Sequence, residues 1–143
     1  MPEATKTVDE LLEIFLANAA NPSSLLNLLA DDAVIEFPYG LPGRTQKLTG
    51  KQEIVPYFVA LKDTIVIDEM RRVAVHRTTD PNLVIVQSEG KGRAVQTGQS
   101  FEQKYITVLT FRDGLLVRLQ DYWNPFTVVT AFGGEISYPK SDS

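Results

Sequence analysis

Four long runs rich in β-branched and aromatic residues dominate the second half of this chain, with little sequence between them. They are Thr64 to His76, Leu83 to Glu89, Ser100 to Arg112 and Leu115 to Asn124. Residues of this kind fit a pleated, half-buried surface. Thr79-Asp80-Pro81-Asn82 and Arg112-Asp113-Gly114 are turn signals, and Gly90 to Gln99 reads as a longer polar hairpin loop. The first half has a helical period. Thr7 and Glu10 form a capping-box pair ahead of an apolar stripe, Leu11, Leu12, Phe15, Leu16 and Ala19, and Asn21-Pro22 stops it. Ser23 or Ser24 can cap a second short helix carrying Leu25, Leu26, Leu28 and Leu29, which ends at Asp31-Asp32. Ala33 to Phe37 reads as a strand, and Pro38 to Gly50, with its prolines and glycines, as a loop. Lys51 to Leu61 is a third helix in which Pro56 should force a kink or a later start. Helices first and a meander afterwards predict an α+β domain, the helices covering one face of a strongly bent antiparallel sheet. The tail from Gly133 to Ser143 is expected to be loosely held.

Length and charge narrow the function. The 143 residues, 43% hydrophobic, make one domain over 1–143 with a sizeable core. A net charge of −4 argues against nucleic acid or an anionic membrane as partner. No apolar run approaches membrane-spanning length, and the N-terminal residues lead into an amphipathic segment rather than a secretory one, so a cytoplasmic location is expected. There is no cysteine and one histidine, His76. Disulfides, thiolate nucleophiles, cysteine metal sites and two-histidine zinc motifs are therefore ruled out, and no metal is expected. Gly40, Gly43 and Gly50 lack phosphate-loop spacing, and there is no Gly-x-Ser-x-Gly elbow. No cofactor is called for. His76 falls where a strand meets a turn, which points to an exposed hairpin end, while Arg71-Arg72 and Asp68-Glu69 read as solvated charges on the outer sheet surface.

The residue that stands out is Asp121. On a strand from Leu115 to Trp123 side chains alternate, so Val117, Leu119, Asp121 and Trp123 share one face. A carboxylate on an apolar face is costly unless something pairs with it or uses it. Aromatic residues converge on the same region of the predicted fold: Phe15 on the first helix, Phe37 and Tyr39 at the loop entrance, Tyr57 and Phe58 on the third helix, and Tyr105, Phe111 and Trp123 on strands. Aromatics dominate ordinary cores, but together with a single acid they also describe a small-molecule pocket.

Leu29-Ala30-Asp31-Asp32-Ala33-Val34-Ile35-Glu36-Phe37-Pro38-Tyr39-Gly40 resembles the second helix end and first strand of ketosteroid isomerases. The helix with Ile54, Tyr57 and Phe58 is similar to the one that follows there. Phe111-Arg112-Asp113-Gly114-Leu115-Leu116-Val117 resembles the last hairpin of the wider superfamily, which includes SnoaL-like polyketide cyclases and nuclear transport factor 2. The resemblance implies a cone-shaped barrel: a curved antiparallel sheet wrapped around three N-terminal helices, with a deep apolar cavity. It also implies that the isomerase machinery is gone. The aspartate base falls at Phe37, the oxyanion-hole tyrosine at Phe15, its supporting tyrosine at Phe58 and the protonated aspartate at Thr107. Asp121, by contrast, matches the place of the acid–base aspartate in SnoaL-like cyclases.

Enclosed by Trp123, Leu119 and phenylalanines, Asp121 should have a raised pKa, suited to moving a proton α to a carbonyl near neutral pH. Ketosteroid isomerase is a known case of such tuning. Tyr105 and Thr107, which share a strand face, or Tyr57 would supply the donor for an enolate. The first functional expectation is thus a cofactor-independent isomerase or cyclase acting on a hydrophobic, carbonyl-bearing metabolite of polyketide or terpenoid type. The alternatives are a carrier for a small hydrophobic ligand, an epoxide-hydrolase-like activity, or a structural dimer working through an outer face of Ile106, Val108 and Thr110, with the cavity filled. A homodimer is expected under all of them.

Overall fold

A computed structural model describes residues 6–17 and 22–137; the Ala19 stripe position, the Asn21 stop, the Ser23 and Ser24 caps and the tail beyond residue 137 lie outside what is described. The chain opens with α1 (Val8–Ala17), capped as the sequence indicates: the Glu10 N–H donates to Thr7 Oγ1 at 3.2 Å and the Thr7 N–H to Glu10 Oε1 at 3.5 Å. Leu11 and Leu12 are the buried residues of α1. A 3-10 helix (Pro22–Asn27) leads into β1 (Leu29–Glu36) and β2 (Lys47–Thr49), then α2 (Lys51–Leu61). The long strands β3 (Ile65–Arg77), β4 (Leu83–Ala94), β5 (Ser100–Arg112) and β6 (Leu115–Trp123) follow, and α3 (Pro125–Ala131) closes the described chain.

The six strands form one sheet in the order β2-β1-β6-β5-β4-β3. It is mixed rather than antiparallel, because β1 returns beside β6 in parallel register, Ile35 opposite Leu119. The remaining pairs are antiparallel. The expected three N-terminal helices become α1, a 3-10 turn and α2, and the chain adds the C-terminal α3. Its signal was Asn124-Pro125: Asn124 Oδ1 accepts from the Phe126 N–H at 3.0 Å, and proline occupies the first turn, where its missing N–H costs nothing.

Two boundaries moved for identifiable reasons, and the third helix kept its expected limits despite its proline. β1 starts at Leu29, not Ala33, and Asp31-Asp32 lie exposed within it at an irregularity in the register with β6. β4 runs through Ala94, so residues 90–94 are strand rather than loop. Its glycines are there for space: a Cβ on Gly90 would sit 3.1 Å from the Tyr105 ring, and one on Gly92 would meet the Val66 carbonyl and the Phe101 ring. Finally, α2 runs through Pro56, which lies on its exposed side, where the carbonyl left without a partner can meet solvent. The turn at Asp113-Gly114 has both residues at positive φ, 53° and 77°, the primed geometry that matches strand twist.

Leu11, Leu29, Ile35, Ile54, Leu109 and Leu116 form the fully buried centre where α1, α2 and the sheet meet. This core fills one end of the space between helices and sheet and leaves the other open.

Candidate functional site

The open end is a cavity of about 790 Å³, within the range of small-molecule sites. Its wall is mostly apolar. Phe15 of α1, Phe37 just past β1, and Tyr57 and Phe58 of α2 line one side; Tyr105, Thr107, Asp121 and Trp123 line the sheet side. The rings form a belt. Phe37 lies 5.6 Å from Tyr57 and 6.4 Å from Trp123 between centroids, and Tyr57 meets Phe58 edge-on at 5.4 Å. The structure thus brings eight of the ten sequence-selected residues to one cavity; Phe111, buried in the packed core instead, is one of the two left out.

Tyr39 is the other exception. The chain leaves β1 at Phe37, whose N–H donates to the Gln46 carbonyl, and the Gly40 N–H donates back to the Phe37 carbonyl. That turn carries Tyr39 to the outside, where it is 57% exposed and packs edge-on against Tyr122 at 5.3 Å.

Asp121 gets its position from the register of β5 and β6. Tyr105 stands opposite Trp123 and Thr107 opposite Asp121, so all four share the concave face. Thr107 Oγ1 donates to Asp121 Oδ1 at 3.0 Å. What surface Asp121 retains opens on the cavity. Burial pushes its carboxyl up from the ordinary 3.8 to about 7, against the opposing pull of the Thr107 hydrogen bond. The two cavity tyrosines respond to the same enclosure. Burial, and secondarily the Asp121 charge, raises the pKa of both Tyr57 and Tyr105, with Arg44 partly offsetting the effect at Tyr57. Both hydroxyls are therefore neutral donors near neutral pH, within electrostatic reach of Asp121.

Other polar groups resolve into structural roles. Gln103, 3% exposed, ties β5 to the end of β6 through two bonds: its Nε2 donates to the Asn124 carbonyl and its Oε1 accepts from the Asn124 N–H, both at 3.0 Å. Glu36 pairs with Arg118 at 2.8 Å, and Glu89 with Arg71 at 2.6 Å, which lowers the Glu89 pKa. His76 is exposed in β3, its Nε2 2.7 Å from Gln87 Oε1. Among the described residues no group of three His, Cys, Asp or Glu side chains is placed to hold a metal ion, and no helix is long and apolar enough to cross a membrane.

Wall positions not assigned to the site from sequence include Arg44 in the β1–β2 loop, Met70 and Arg72 of β3, and Val128 of α3. The expectation that both Arg71 and Arg72 face outward is corrected. A bulge between Ile67 and Glu69 inserts one residue and reverses the alternation, so Ile65 and Ile67 are followed into the cavity by Met70 and Arg72. No local residue pattern announces that bulge.

A curved six-stranded mixed sheet closed by helices over a deep apolar cavity places the chain in the ketosteroid-isomerase-like, nuclear transport factor 2-like fold class. It belongs to the SnoaL-like domain family, whose profile matches residues 8–119. The uncharacterised protein YesE of Bacillus subtilis is 38% identical over 111 residues, 78% of this chain and 76% of YesE. A solved structure of a Bacillus subtilis protein named as a proposed isomerase superposes with a TM-score of 0.80 at 34% identity, covering 90% of this chain and 94% of that one. A Catenulispora acidiphila protein with a ketosteroid isomerase-like fold superposes with a TM-score of 0.70 at 19% identity, covering 88% and 94%; at that identity the likeness is one of fold.

Proposed function

We propose that the protein is a cofactor-independent isomerase or cyclase that moves a proton α to a carbonyl of an apolar metabolite, with Asp121 as the general acid/base. The observation that carries this reading is the carboxyl itself, set in an apolar cavity and held by Thr107, where burial pushes its pKa up to about 7. A group of that pKa is half ionised near neutrality and can both take and return a proton. Substrate would lie against the Phe37–Trp123–Tyr57 belt, with its carbonyl oxygen toward Tyr57 or Tyr105. Either phenol would donate to the oxygen as it gains charge, in a site whose wall is mostly apolar. Proton removal by Asp121 leaves the electron pair delocalised onto that oxygen. Return of the proton to a different carbon gives isomerisation, and attack of the enolate on a second carbonyl gives ring closure.

The test does not require the natural substrate. Incubation in heavy water with a panel of aryl and cyclic ketones, followed by NMR, reads hydrogen exchange at the α-carbon. Wild type should accelerate exchange, and Asp121→Asn should lower the rate by about 10²- to 10⁴-fold. Exchange that proceeds equally fast in the variant would remove Asp121 from the chemistry. The open volume also suits a carrier, and phenylalanines at positions 15, 37 and 58 favour such a role. Ligand affinity that survives Asp121→Asn, with no exchange on any ketone by wild type, would select that reading.

A further inference from the structure

The described part of the chain has seven arginines, at positions 44, 71, 72, 77, 93, 112 and 118. Arg71, Arg77, Arg93, Arg112 and Arg118 each lie within ion-pair distance of a carboxylate. Arg44 and Arg72 have no such partner among the described residues, and both line the cavity. Both are also exposed, which places their side chains toward its mouth rather than its floor. The register sets Arg72 opposite Ser88, Ser88 opposite Tyr105, and Tyr105 opposite Trp123, one continuous row across four strands that runs beside the Thr107–Asp121 row. Across three strand spacings that row spans about 14 Å between the Cα atoms of Arg72 and Trp123. Arg44 approaches from the opposite wall, near enough to Tyr57 to influence its hydroxyl.

The charge count sharpens the point. The protein as a whole carries −4, yet among the described residues the charged side chains on the cavity wall are two arginines and Asp121. The described wall is therefore +1 with Asp121 ionised and +2 with it protonated. A positive mouth on an acidic protein is local, not a consequence of overall composition, and it is positioned to meet whatever enters. Guanidinium groups are suited to carboxylate or phosphate, which they bind through paired N–H donors.

We propose that the ligand of this cavity is amphipathic and anionic: an apolar, carbonyl-bearing body seated against the aromatic belt, with a carboxylate-type group held at the mouth by Arg44 and Arg72. This rests on reading the cavity as a ligand site and does not depend on proton transfer at Asp121. The anion would fix which end of the substrate enters first and so which carbon faces Asp121.

Trp123 is the sole tryptophan and lies in the cavity wall, so its fluorescence reports occupancy. Titration with 4-oxo-4-phenylbutanoate and with its neutral methyl ester compares one body with and without the charge. Wild type should bind the acid at least about tenfold more tightly than the ester, the equivalent of one charge-assisted contact. The Arg44→Gln/Arg72→Gln double variant should bring the two affinities to within about twofold of each other. An Arg77→Gln/Arg112→Gln double variant, with the same change in net charge away from the cavity, should retain the preference. Equal binding of acid and ester by wild type, a preference that survives loss of Arg44 and Arg72, or no binding of either compound would each overturn the proposal. The ketone-exchange assay is read separately, so a protein that prefers the acid but exchanges no proton would refute the acid/base reading and leave this one standing.

Discussion

Replacing Asp121 with asparagine should make the protein's stability less sensitive to pH in a specific window, and the size of the effect follows from the carboxyl's enclosure. Folding moves the pKa from the ordinary 3.8 to about 7. Below pH 3.8 the group is protonated in both folded and unfolded chains, so it carries no penalty. Between 3.8 and about 7 the unfolded chain releases the proton while the folded one keeps it; the folded state binds more protons, and stability falls as pH rises. Above about 7 both forms are ionised and the loss levels off. The full interval corresponds to about 4 kcal/mol, at about 1.4 kcal/mol per pKa unit.

Asparagine keeps an oxygen to accept from Thr107 and has no proton to lose. All other carboxylates are common to both proteins, so the difference between wild type and variant isolates this one group. Urea unfolding followed by circular dichroism from about pH 4.5 to about pH 8.5 should show the Asp121→Asn advantage growing by about 3 kcal/mol. With a denaturant slope of about 2 kcal/mol per molar, the two midpoints should diverge by about 1.5 M. Curves that stay parallel to within about 0.5 kcal/mol would mean the carboxyl titrates at its ordinary value and would refute the argument from apolar enclosure.

Three neighbouring substitutions test the framework around that group. Thr107→Val removes the one hydrogen bond that holds the Asp121 pKa down, so the carboxyl should titrate above wild type's value of about 7 in carboxyl-selective NMR; a fall would contradict the assignment. Gln103→Leu leaves the Asn124 N–H and carbonyl without their partners and should cost about 1–3 kcal/mol in urea unfolding, since Asn124 is exposed and water replaces part of what is lost. Gly92→Ala drives a methyl group into the Val66 carbonyl and should cost about 3 kcal/mol or more, with weakened amide protection along β3 and β4; a neutral effect would mean the two strands do not approach as closely as described.

Local pattern carried much of the architecture because several elements have signals that work over a few residues. Thr7 and Glu10 announce α1, Asp113-Gly114 announces the β5–β6 turn, and the Ser100–Arg112 run was read with the limits it has in the sheet. Long-range packing decided the rest. Gly90 and Gly92 look like loop residues in sequence; they are strand residues because Tyr105 and Phe101 from the next strand need the space above them. The parallel pairing of β1 with β6 joins segments some eighty residues apart and has no local signature. Tyr39 was placed with Phe37 because the two are close in sequence, but a turn closed by Gln46 and Gly40 separates them to opposite sides of the wall.

The contrast between Asp121 and Arg72 shows what governed the legibility of the site. Both assignments rested on the same rule, that side chains alternate along a strand. From Tyr105 to Leu109 and from Leu119 to Trp123 the β5–β6 ladder has no register shift, so counting by twos from Leu119 brings Asp121 correctly to the cavity face. On β3 the count is interrupted between Ile67 and Glu69 and again between Arg72 and Ala74. The first bulge turns Met70 and Arg72 inward, and after the second Val75 stands opposite the buried Val86. A segment of reversed parity is thereby confined to the stretch that borders the cavity. Bulges concentrate next to functional sites because they re-aim side chains that simple alternation would send to solvent. The same device that hid Arg72 from the sequence is what puts a guanidinium on an otherwise apolar wall, in line with Tyr105 and Trp123.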